Sequence, residues 1–126
     1  MLIRPRRNRK NAAIRDMVQE THLSVDHLIY PFFLVDGKGI QQEITSLPRN
    51  YRWSLDLLLH EMESSLELGL NKFVLFPAVQ DHLKDPIASY SYAEDNFYLE
   101  AIRTLKERFP QAVLMSDVAM DPYSSD

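Results

Sequence analysis

The chain has 126 residues, of which 45% are hydrophobic and 25% are charged, a composition typical of one globular domain. No apolar run approaches the ~20 residues that a membrane-spanning helix requires, and the basic amino terminus is not followed by the apolar segment of a secretory signal. The absence of cysteine excludes disulfides and thiolate metal sites within this sequence and fits a cytoplasmic protein.

The net charge of −4 hides an uneven distribution of charge along the chain. Residues 1–15 carry six of the 14 basic residues and no acid, whereas residues 16–126 carry eight basic and 18 acidic residues. A basic arm on an acidic body could bind nucleic acid, anionic lipid or an acidic neighbouring subunit. No aromatic residue lies among the arginines to stack on bases, which disfavours nucleic acid. A mitochondrial transit peptide is a further alternative, but Pro5 and the scarcity of serine count against it.

The first predicted elements are a short helix in this arm and a buried strand. Asn11 can cap a helix over residues 12–18, whose apolar residues fall on one face. The continuous apolar run 28–35 is typical of a strand buried on both faces of a parallel sheet. Pro31 cannot donate to a β-ladder, which predicts a sheet edge or an irregular start for this strand. The glycine-containing stretch 36–39 then predicts a turn.

Two further helix–strand units follow. Ser54 can cap a helix over 55–68 that ends at Gly69, and residues 72–79 form a second apolar strand. A polar loop over 80–92 leads to a helix over 94–108, which Pro110 terminates, and then to a third strand over 112–120. The predicted apolar faces of the two helices comprise Leu55, Leu58, Leu59, Met62 and Leu66, and Phe97, Ala101, Leu105 and Phe109.

The resulting order is arm, β, α, β, α, β, which predicts an α/β fold with parallel crossovers. Three strands and two helices leave two open sheet edges, and no helix follows the last strand. Such a unit is expected to be the first part of a larger fold rather than a complete one.

Candidate functional residues lie where the predicted parallel strands end, because functional residues of such folds collect at the carboxyl ends of the strands. These positions are Asp36, residues 77–80, and the pair Asp117 and Asp121. Two carboxylates could hold a hard cation such as Mg²⁺, or one could handle protons while the other stays ionised. Their spacing of four places them on the same side only if the segment stays extended. Alternatively, both acids belong to an ordinary loop.

The remaining polar residues give no comparable signal. The four histidines show no metal-ligand spacing and are expected at the surface. The chain has too few glycines for a phosphate-binding loop. Lys72 is the only lysine next to a predicted strand, but it precedes that strand. A Schiff-base lysine is expected at the opposite end, so Lys72 is interpreted as structural.

Six stretches in register resemble the amino-terminal part of the porphobilinogen synthase family, also called 5-aminolevulinate dehydratase. They are RPRR at 4–7, LIYPFFLVDG at 28–37, ITSLPRNYRWSLDLL at 44–58, LFPAV at 75–79, LKD at 83–85 and SDVAMDPYSSD at 116–126. The resemblance implies a (β/α)₈ TIM barrel, with an arm over residues 1–25 and the first part of the barrel over 26–126. A barrel of this kind needs ~250 residues, so this chain would hold roughly three strands and two helices of it.

The family condenses two molecules of 5-aminolevulinate to porphobilinogen in haem and tetrapyrrole biosynthesis. It is a lyase that uses two Schiff-base lysines on later strands, so this chain alone is expected to be inactive. The arm would embrace a neighbouring subunit in a homo-oligomer, usually an octamer. This makes protein, not nucleic acid or membrane, the expected partner of the arm.

The third-strand motif carries the family's site residues. Asp117 matches an active-site aspartate beside the amino group of the second substrate, where a carboxylate assists because that amine must be neutral to attack. Zinc-dependent members have cysteines where this chain has Ala119 and Asp121. The sequence is therefore similar to the aspartate-type members, which dispense with catalytic zinc and often respond to Mg²⁺, with Asp121 as a candidate metal ligand.

This sequence departs from the family pattern at two turns. Arg49 and Asn50 replace a glycine-containing turn, and Ala88 stands where a glycine is common, which predicts altered loops but the same chemistry. Two other interpretations fit parts of the sequence. One is a response-regulator receiver, although the chain lacks the paired acids and the fifth-strand lysine of that class. The other is a non-catalytic assembly fragment.

Overall fold

The computed structural model describes residues 6–126. It contains three α-helices in this part of the chain, namely α1 (Ala12–Met17), α2 (Leu55–Glu67) and α3 (Phe97–Arg108). Its strands are β1 (Tyr30–Val35), β2 (Gln41–Glu43), β3 (Tyr51–Trp53), β4 (Lys72–Ala78) and β5 (Val113–Ser116). Short 3₁₀ turns lie at Arg6–Arg9, Val25–His27, Asp81–Leu83, Ser89–Tyr92 and Asp121–Tyr123. No helix within this range is long and apolar enough to span a membrane.

The five strands form one sheet in the order β2-β3-β1-β4-β5. β1, β4 and β5 are the three predicted strands, and they pair in parallel as neighbours. α2 and α3 connect them, which confirms the predicted α/β alternation. The prediction missed β2 and β3, an antiparallel pair of which β3 also runs parallel to β1. Each has only three residues, and β2 is exposed throughout, so neither shows a readable apolar period.

Of the two alternatives predicted for Pro31, the sheet edge is wrong because β1 is central, whereas an irregular strand start agrees with the partial pairing there. β4 pairs along the whole of β1, with Pro31 opposite Val74. β3, however, pairs only with Phe33 and Leu34, in the second half of the strand. At Pro31 the strand therefore has one paired neighbour instead of two, and the missing N–H is tolerated there because fewer donors are needed.

The main core lies between one face of the sheet and the two long helices. Phe32 on β1 and Phe73 and Leu75 on β4 are at most 1% exposed, and the rings of Phe32 and Phe73 stack with their centroids 5.3 Å apart. Leu58 and Met62 of α2 and Leu105 of α3 are fully buried in the same cluster. Each such side chain stabilises the fold by about 1.5–3 kcal/mol relative to an exposed position.

The opposite sheet face is only half-buried. It carries the alternate residues of the strands, including Phe33, Phe76 and Met115, and the rings of Phe33 and Phe76 stack with centroids 5.5 Å apart. In a closed barrel this face would point inward, where side chains from all strands fill the interior in layers. A sheet covered by helices on one face and apolar on the other is the arrangement expected of part of a barrel.

The ends of α2 differ in how they are capped. Gly69 has φ +87°, and the Gly69 and Leu70 amides donate to the Leu66 and Ser65 carbonyls, which is the predicted glycine-terminated C-cap. Ser54 stands at the predicted N-cap position but makes no capping hydrogen bond. Its fully buried hydroxyl instead accepts from the Ile40 N–H at 2.9 Å, which ties the preceding loop to the helix.

α3 begins at Phe97, three residues after the predicted start. The side-chain oxygen of Asn96 accepts from the N–H groups of Tyr98 and Leu99, at 2.9 and 3.3 Å, and so defines the N-cap. The helix ends at Arg108, before Pro110, as predicted. β5 is shorter than predicted, because the extended segment ends at Ser116 instead of residue 120.

The described part of the arm also contains its predicted helix. Asn11 caps α1 by accepting from the Ile14 N–H at 2.9 Å. Ile14 is half-buried, whereas Met17 and the C-cap residue Val18 are exposed, at 84% and 47%. Arg4 and Pro5 of the predicted basic arm lie outside the described residues, and the boundary at residue 25 stays a prediction.

Candidate active site

The carboxyl ends of β1, β4 and β5 meet at one edge of the sheet, because these strands are parallel neighbours. A cavity of about 520 Å³ lies between the ends of β1 and β4. The sequence placed residues 77–80 here correctly but missed Arg52 and Lys84. The lining residues are Val35, Arg52, Pro77, Ala78, Val79, Gln80, Asp81, Lys84 and Pro122.

The two basic residues of this cavity come from the missed strand and from the loop after β4. Arg52 is the central residue of β3 and pairs in register with Phe33. Lys84 follows a 3₁₀ turn, and its Nζ lies 2.7 Å from a carboxylate oxygen of Asp81. This contact lowers the pKa of Asp81 through a hydrogen bond and a favourable charge interaction. The alternation of aromatic residues around Arg52 in the sequence YRW was the signal that could have revealed β3.

Asp117 directly follows β5 and is exposed. By the alternation of a strand it continues the series Val113, Met115 of the sheet face that no helix in the described chain covers. The carboxylate therefore stands at the sheet edge where the site was expected.

Asp121 occupies a different environment. The chain leaves the strand at Ser116, bends at Met120 and enters the 3₁₀ turn Asp121–Tyr123, so the condition under which the two acids would share a side is not met. Asp121 lines a second cavity, of about 380 Å³, together with Asp81, Lys84 and the terminal residues Ser124 to Asp126. The structure thus places Asp121 in one cavity with Asp81 and Lys84 of the loop after β4.

A second small core fixes this terminal loop. Tyr123 is 5% exposed and packs with Val79 and Ala88, and the ring of Tyr90 lies 6.2 Å from that of Tyr123. Burial raises the pKa of Tyr123. The buried side-chain amide of Asn96 donates to the Tyr90 carbonyl at 2.7 Å and so joins this core to the start of α3.

The structure also shows where the histidines, Lys72 and Asp36 lie. All four histidines are exposed, as expected. Lys72 is the first residue of β4, at the amino end, where its Nζ lies 3.9 Å from Asp26. Asp36 lines a separate cavity of about 320 Å³ near the amino ends of α2 and α3. That cavity contains neither Asp117 nor Asp121.

The donor atoms at the end of the chain bear on which metal could bind. Ala119 has no ligand atom, and Asp121 offers only hard oxygen, which does not fit a thiolate zinc site. Among residues 6–126, no group of three or more histidine, cysteine, aspartate or glutamate side chains is placed to hold a metal ion. Mg²⁺ is commonly held by one or two carboxylates and several waters, so a single aspartate fits it better than zinc.

Comparison with known proteins gives one consistent result. The family model described as delta-aminolevulinic acid dehydratase matches residues 2–126. The delta-aminolevulinic acid dehydratase of Chlamydia pneumoniae is 52% identical over 97% of this chain, and the chloroplastic protein of Glycine max is 41% identical over 98%. These matches cover 37% and 30% of the two relatives, so the chain spans about a third of their length.

A solved structure agrees with the sequence matches. The delta-aminolevulinic acid dehydratase (porphobilinogen synthase) of Toxoplasma gondii ME49, in complex with the reaction product porphobilinogen, superposes with a TM-score of 0.90 at 45% identity. The match covers 99% of this chain and 35% of that one. These comparisons give no support to the response-regulator interpretation.

Proposed function

Because this chain belongs to the delta-aminolevulinic acid dehydratase family, we propose that the whole protein is a porphobilinogen synthase that condenses two molecules of 5-aminolevulinate. The observation that carries the proposal is the similarity, at 45% identity and a TM-score of 0.90, to a family structure that contains porphobilinogen. The activity is a carbon–carbon and carbon–nitrogen condensation with loss of water, as in tetrapyrrole and haem biosynthesis.

In this proposal, Asp117 is the active-site carboxylate. Its support is its position, exposed at the carboxyl end of β5 and on the sheet face that would line a barrel interior. An amine attacks only in its neutral form, so a carboxylate that accepts a proton or a hydrogen bond from the amino group of the second substrate favours the reaction.

We also propose that none of the lysines of this chain forms the Schiff bases of the reaction. Its five lysines are Lys10, Lys38, Lys72, Lys84 and Lys106. Lys72 is at the wrong end of its strand, and the Nζ of Lys84 is engaged by the Asp81 carboxylate at 2.7 Å. We expect the chain alone to be inactive and to form no adduct with 5-aminolevulinate after borohydride reduction. A stoichiometric adduct seen by intact mass spectrometry would contradict this.

The proposed metal is Mg²⁺ in an allosteric or structural role, with Asp121 as one ligand. Asp121 offers a hard carboxylate, and the Ala119 side chain has no donor atom. Both features support Mg²⁺ over zinc. In the whole protein, Asp121→Ala should weaken the stimulation by Mg²⁺ while the activity without added metal changes little. If the response to Mg²⁺ is unchanged, Asp121 is not a ligand.

The proposed partner of the arm is a neighbouring subunit in a homo-oligomer, expected to be an octamer in the cytoplasm. The exposed apolar side chains of α1, Met17 at 84% and Val18 at 47%, support a protein partner, since such side chains gain stability when buried. Deletion of residues 1–25 should reduce the number of subunits in the assembly, as determined from its mass by light scattering. A deletion variant with the same number of subunits would argue against this role.

The decisive experiment measures porphobilinogen formation from 5-aminolevulinate by the whole protein. Asp117→Asn keeps the size of the side chain but removes its charge, and it should lower kcat by about 100-fold or more. Asp95→Asn, at an exposed position just before α3, is a matched control that should leave the rate unchanged. A whole protein that makes no porphobilinogen would overturn the proposed function, whereas a fully active Asp117→Asn variant would overturn only the role of Asp117.

A further inference from the structure

The Tyr98 side chain connects α3 to the point where β5 ends. Tyr98 lies in the first turn of α3 and is only 3% exposed. Its hydroxyl donates a hydrogen bond to the Leu75 carbonyl of β4 at 2.8 Å. Leu75 is paired with Ser116, the last residue of β5, so this hydroxyl lies at the final pair of the β4–β5 ladder.

The hydrogen-bond pattern of the ladder places Asp117 at the same carbonyl. The Val113 N–H donates to the Asn71 carbonyl at 2.8 Å. In a parallel pair, this pattern repeats every two residues along both strands, which puts the Asp117 N–H opposite the Leu75 carbonyl. The Tyr98 hydroxyl therefore meets the first peptide of the loop that leaves the sheet.

The electrostatics of the Tyr98 hydroxyl agree with this geometry. Burial raises its pKa to about 12, and Asp117 acts on it in two ways. A hydrogen bond from the Asp117 backbone lowers the pKa, and the negative charge of the Asp117 side chain raises it. The nearby Tyr123 also raises the pKa, and the two effects of Asp117 agree with its place just beyond the last ladder pair.

We propose that Tyr98 is a positioning residue for Asp117: its buried hydroxyl holds the Leu75 carbonyl, which the ladder places opposite the Asp117 N–H, and so sets the direction of the Asp117 carboxylate. The inference rests on the proposed function, in which Asp117 faces the substrate. Tyr98 itself is covered by the core and does not touch the substrate. It acts because the β4–β5 ladder ends at the Leu75–Ser116 pair, so the Leu75 carbonyl that Tyr98 holds is the last anchor of the chain before the loop.

This role differs from that of an ordinary buried tyrosine. Tyr30 also hydrogen-bonds through its hydroxyl, to Glu61 at 3.1 Å, but it lies at the amino end of β1, where the sheet carries no proposed site residue. Tyr30→Phe is therefore the matched control for Tyr98→Phe. Both substitutions remove one hydroxyl and keep the ring.

The test combines kinetics with hydrogen exchange in the whole protein. We expect Tyr98→Phe to lower kcat by about 10-fold while KM for 5-aminolevulinate stays within about twofold, because a small misplacement of a reacting group acts mainly on the chemical step. Tyr30→Phe should leave both constants unchanged. In an Asp117→Asn background, Tyr98→Phe should have little further effect, since the two residues act as one unit.

A merely structural role for Tyr98 predicts different results. In that case the losses from Tyr98→Phe and Asp117→Asn multiply, or kcat remains at the wild-type value, and either result overturns the inference. An active wild-type protein with an impaired Asp117→Asn variant but a normal Tyr98→Phe variant leaves the proposed function intact. Absence of porphobilinogen formation by the wild type instead points to failure of the proposed function.

Hydrogen exchange tests the contact without reference to activity. The Asp117 amide of the wild type should exchange more slowly than the neighbouring Val118 amide, and Tyr98→Phe should abolish that difference while Tyr30→Phe does not. Equal exchange of the two amides in the wild type would overturn the inference, even if the Tyr98→Phe variant did not fold.

Discussion

Asp85 and Ser124 form a parallel β-bridge that ties the loop after β4 to the carboxyl-terminal loop. The Asp85 N–H donates to the Tyr123 carbonyl at 3.2 Å, and the Ser125 N–H donates to the Asp85 carbonyl at 3.2 Å. The Asp85 carboxylate also accepts from the Ile87 and Ser89 N–H groups, each at 3.0 Å, and from the Ser89 hydroxyl. One residue therefore shapes its own loop with its side chain and holds the loop of Asp121 with its backbone.

The hydrogen bonds to Asp85 predict a stability difference that depends on pH. The Ser89 hydroxyl and then the Ser89 backbone N–H lower the pKa of Asp85 below its ordinary value of 3.8. A carboxylate with a lowered folded-state pKa stabilises the fold above its unfolded-state pKa, and this contribution is lost as the pH falls through the folded-state value. Asp85→Asn should therefore lower the unfolding temperature at pH 7, and this difference from the wild type should shrink below about pH 4. A difference that stays constant between these pH values would contradict the assignment; Asp16→Asn is the control.

Arg49 and Ala88 are expected to be strained, because they are the two non-glycine residues of the described chain with positive φ, at 67° and 53°. The left-handed conformation costs a non-glycine residue roughly 1–2 kcal/mol, whereas glycine loses about 0.5–1 kcal/mol more backbone entropy on folding. Arg49 is exposed, so Arg49→Gly should raise the free energy of unfolding by about 0.5 kcal/mol. Ala88→Gly loses a buried methyl group worth about 0.8 kcal/mol, so its net effect should be close to zero. Chemical denaturation followed by circular dichroism measures both; destabilisation by Arg49→Gly would show that strain is absent.

Asn96 predicts a larger effect than an ordinary helix cap. It is 1% exposed, accepts from two N–H groups of α3 and donates to the Tyr90 carbonyl at 2.7 Å. Asn96→Ala should lower the free energy of unfolding by about 2–3 kcal/mol, since it removes the cap and leaves buried groups unpaired. Asn11→Ala, at the exposed cap of α1, provides the control and should cost about 0.5–1 kcal/mol. Equal losses in chemical denaturation would mean that the buried network of Asn96 adds nothing to the cap.

The Tyr98 hydroxyl predicts a loss of stability in alkali. Burial raises its pKa from 10.0 to about 12, so the unfolded chain releases this proton at a lower pH than the folded chain does. The corresponding stability is complete below pH 10 and is lost as the pH rises towards 12. Between pH 8 and pH 11 the wild type should lose about 1.4 kcal/mol more than Tyr98→Phe does. Unfolding in denaturant at pH 8 and pH 11 measures this difference. Tyr92→Phe, at a position 69% exposed, is the control and should behave like the wild type.

The sequence determined the elements whose signals are local. The capping asparagine of α1, the glycine that ends α2 and the apolar runs of β1 and β4 were each readable, because a few adjacent residues decide these structures. The family was also readable from six motifs in register, and the match over residues 2–126 confirms it. The roles of Asp117 and Asp121 remain predictions.

Only the tertiary structure decided the features that depend on distant residues. Pro31 lies in a central strand because β3 joins β1 only beyond it, and no local pattern shows where a neighbouring strand begins. β5 ends at Ser116, so Asp117 follows the strand directly, whereas Asp121 lies in a 3₁₀ turn and lines a cavity with Lys84. Tyr98, Asp85 and Arg52 reach their partners across 23, 39 and 19 positions of sequence, respectively. Contacts of that kind depend on packing and strand register, and local sequence patterns do not determine either of them.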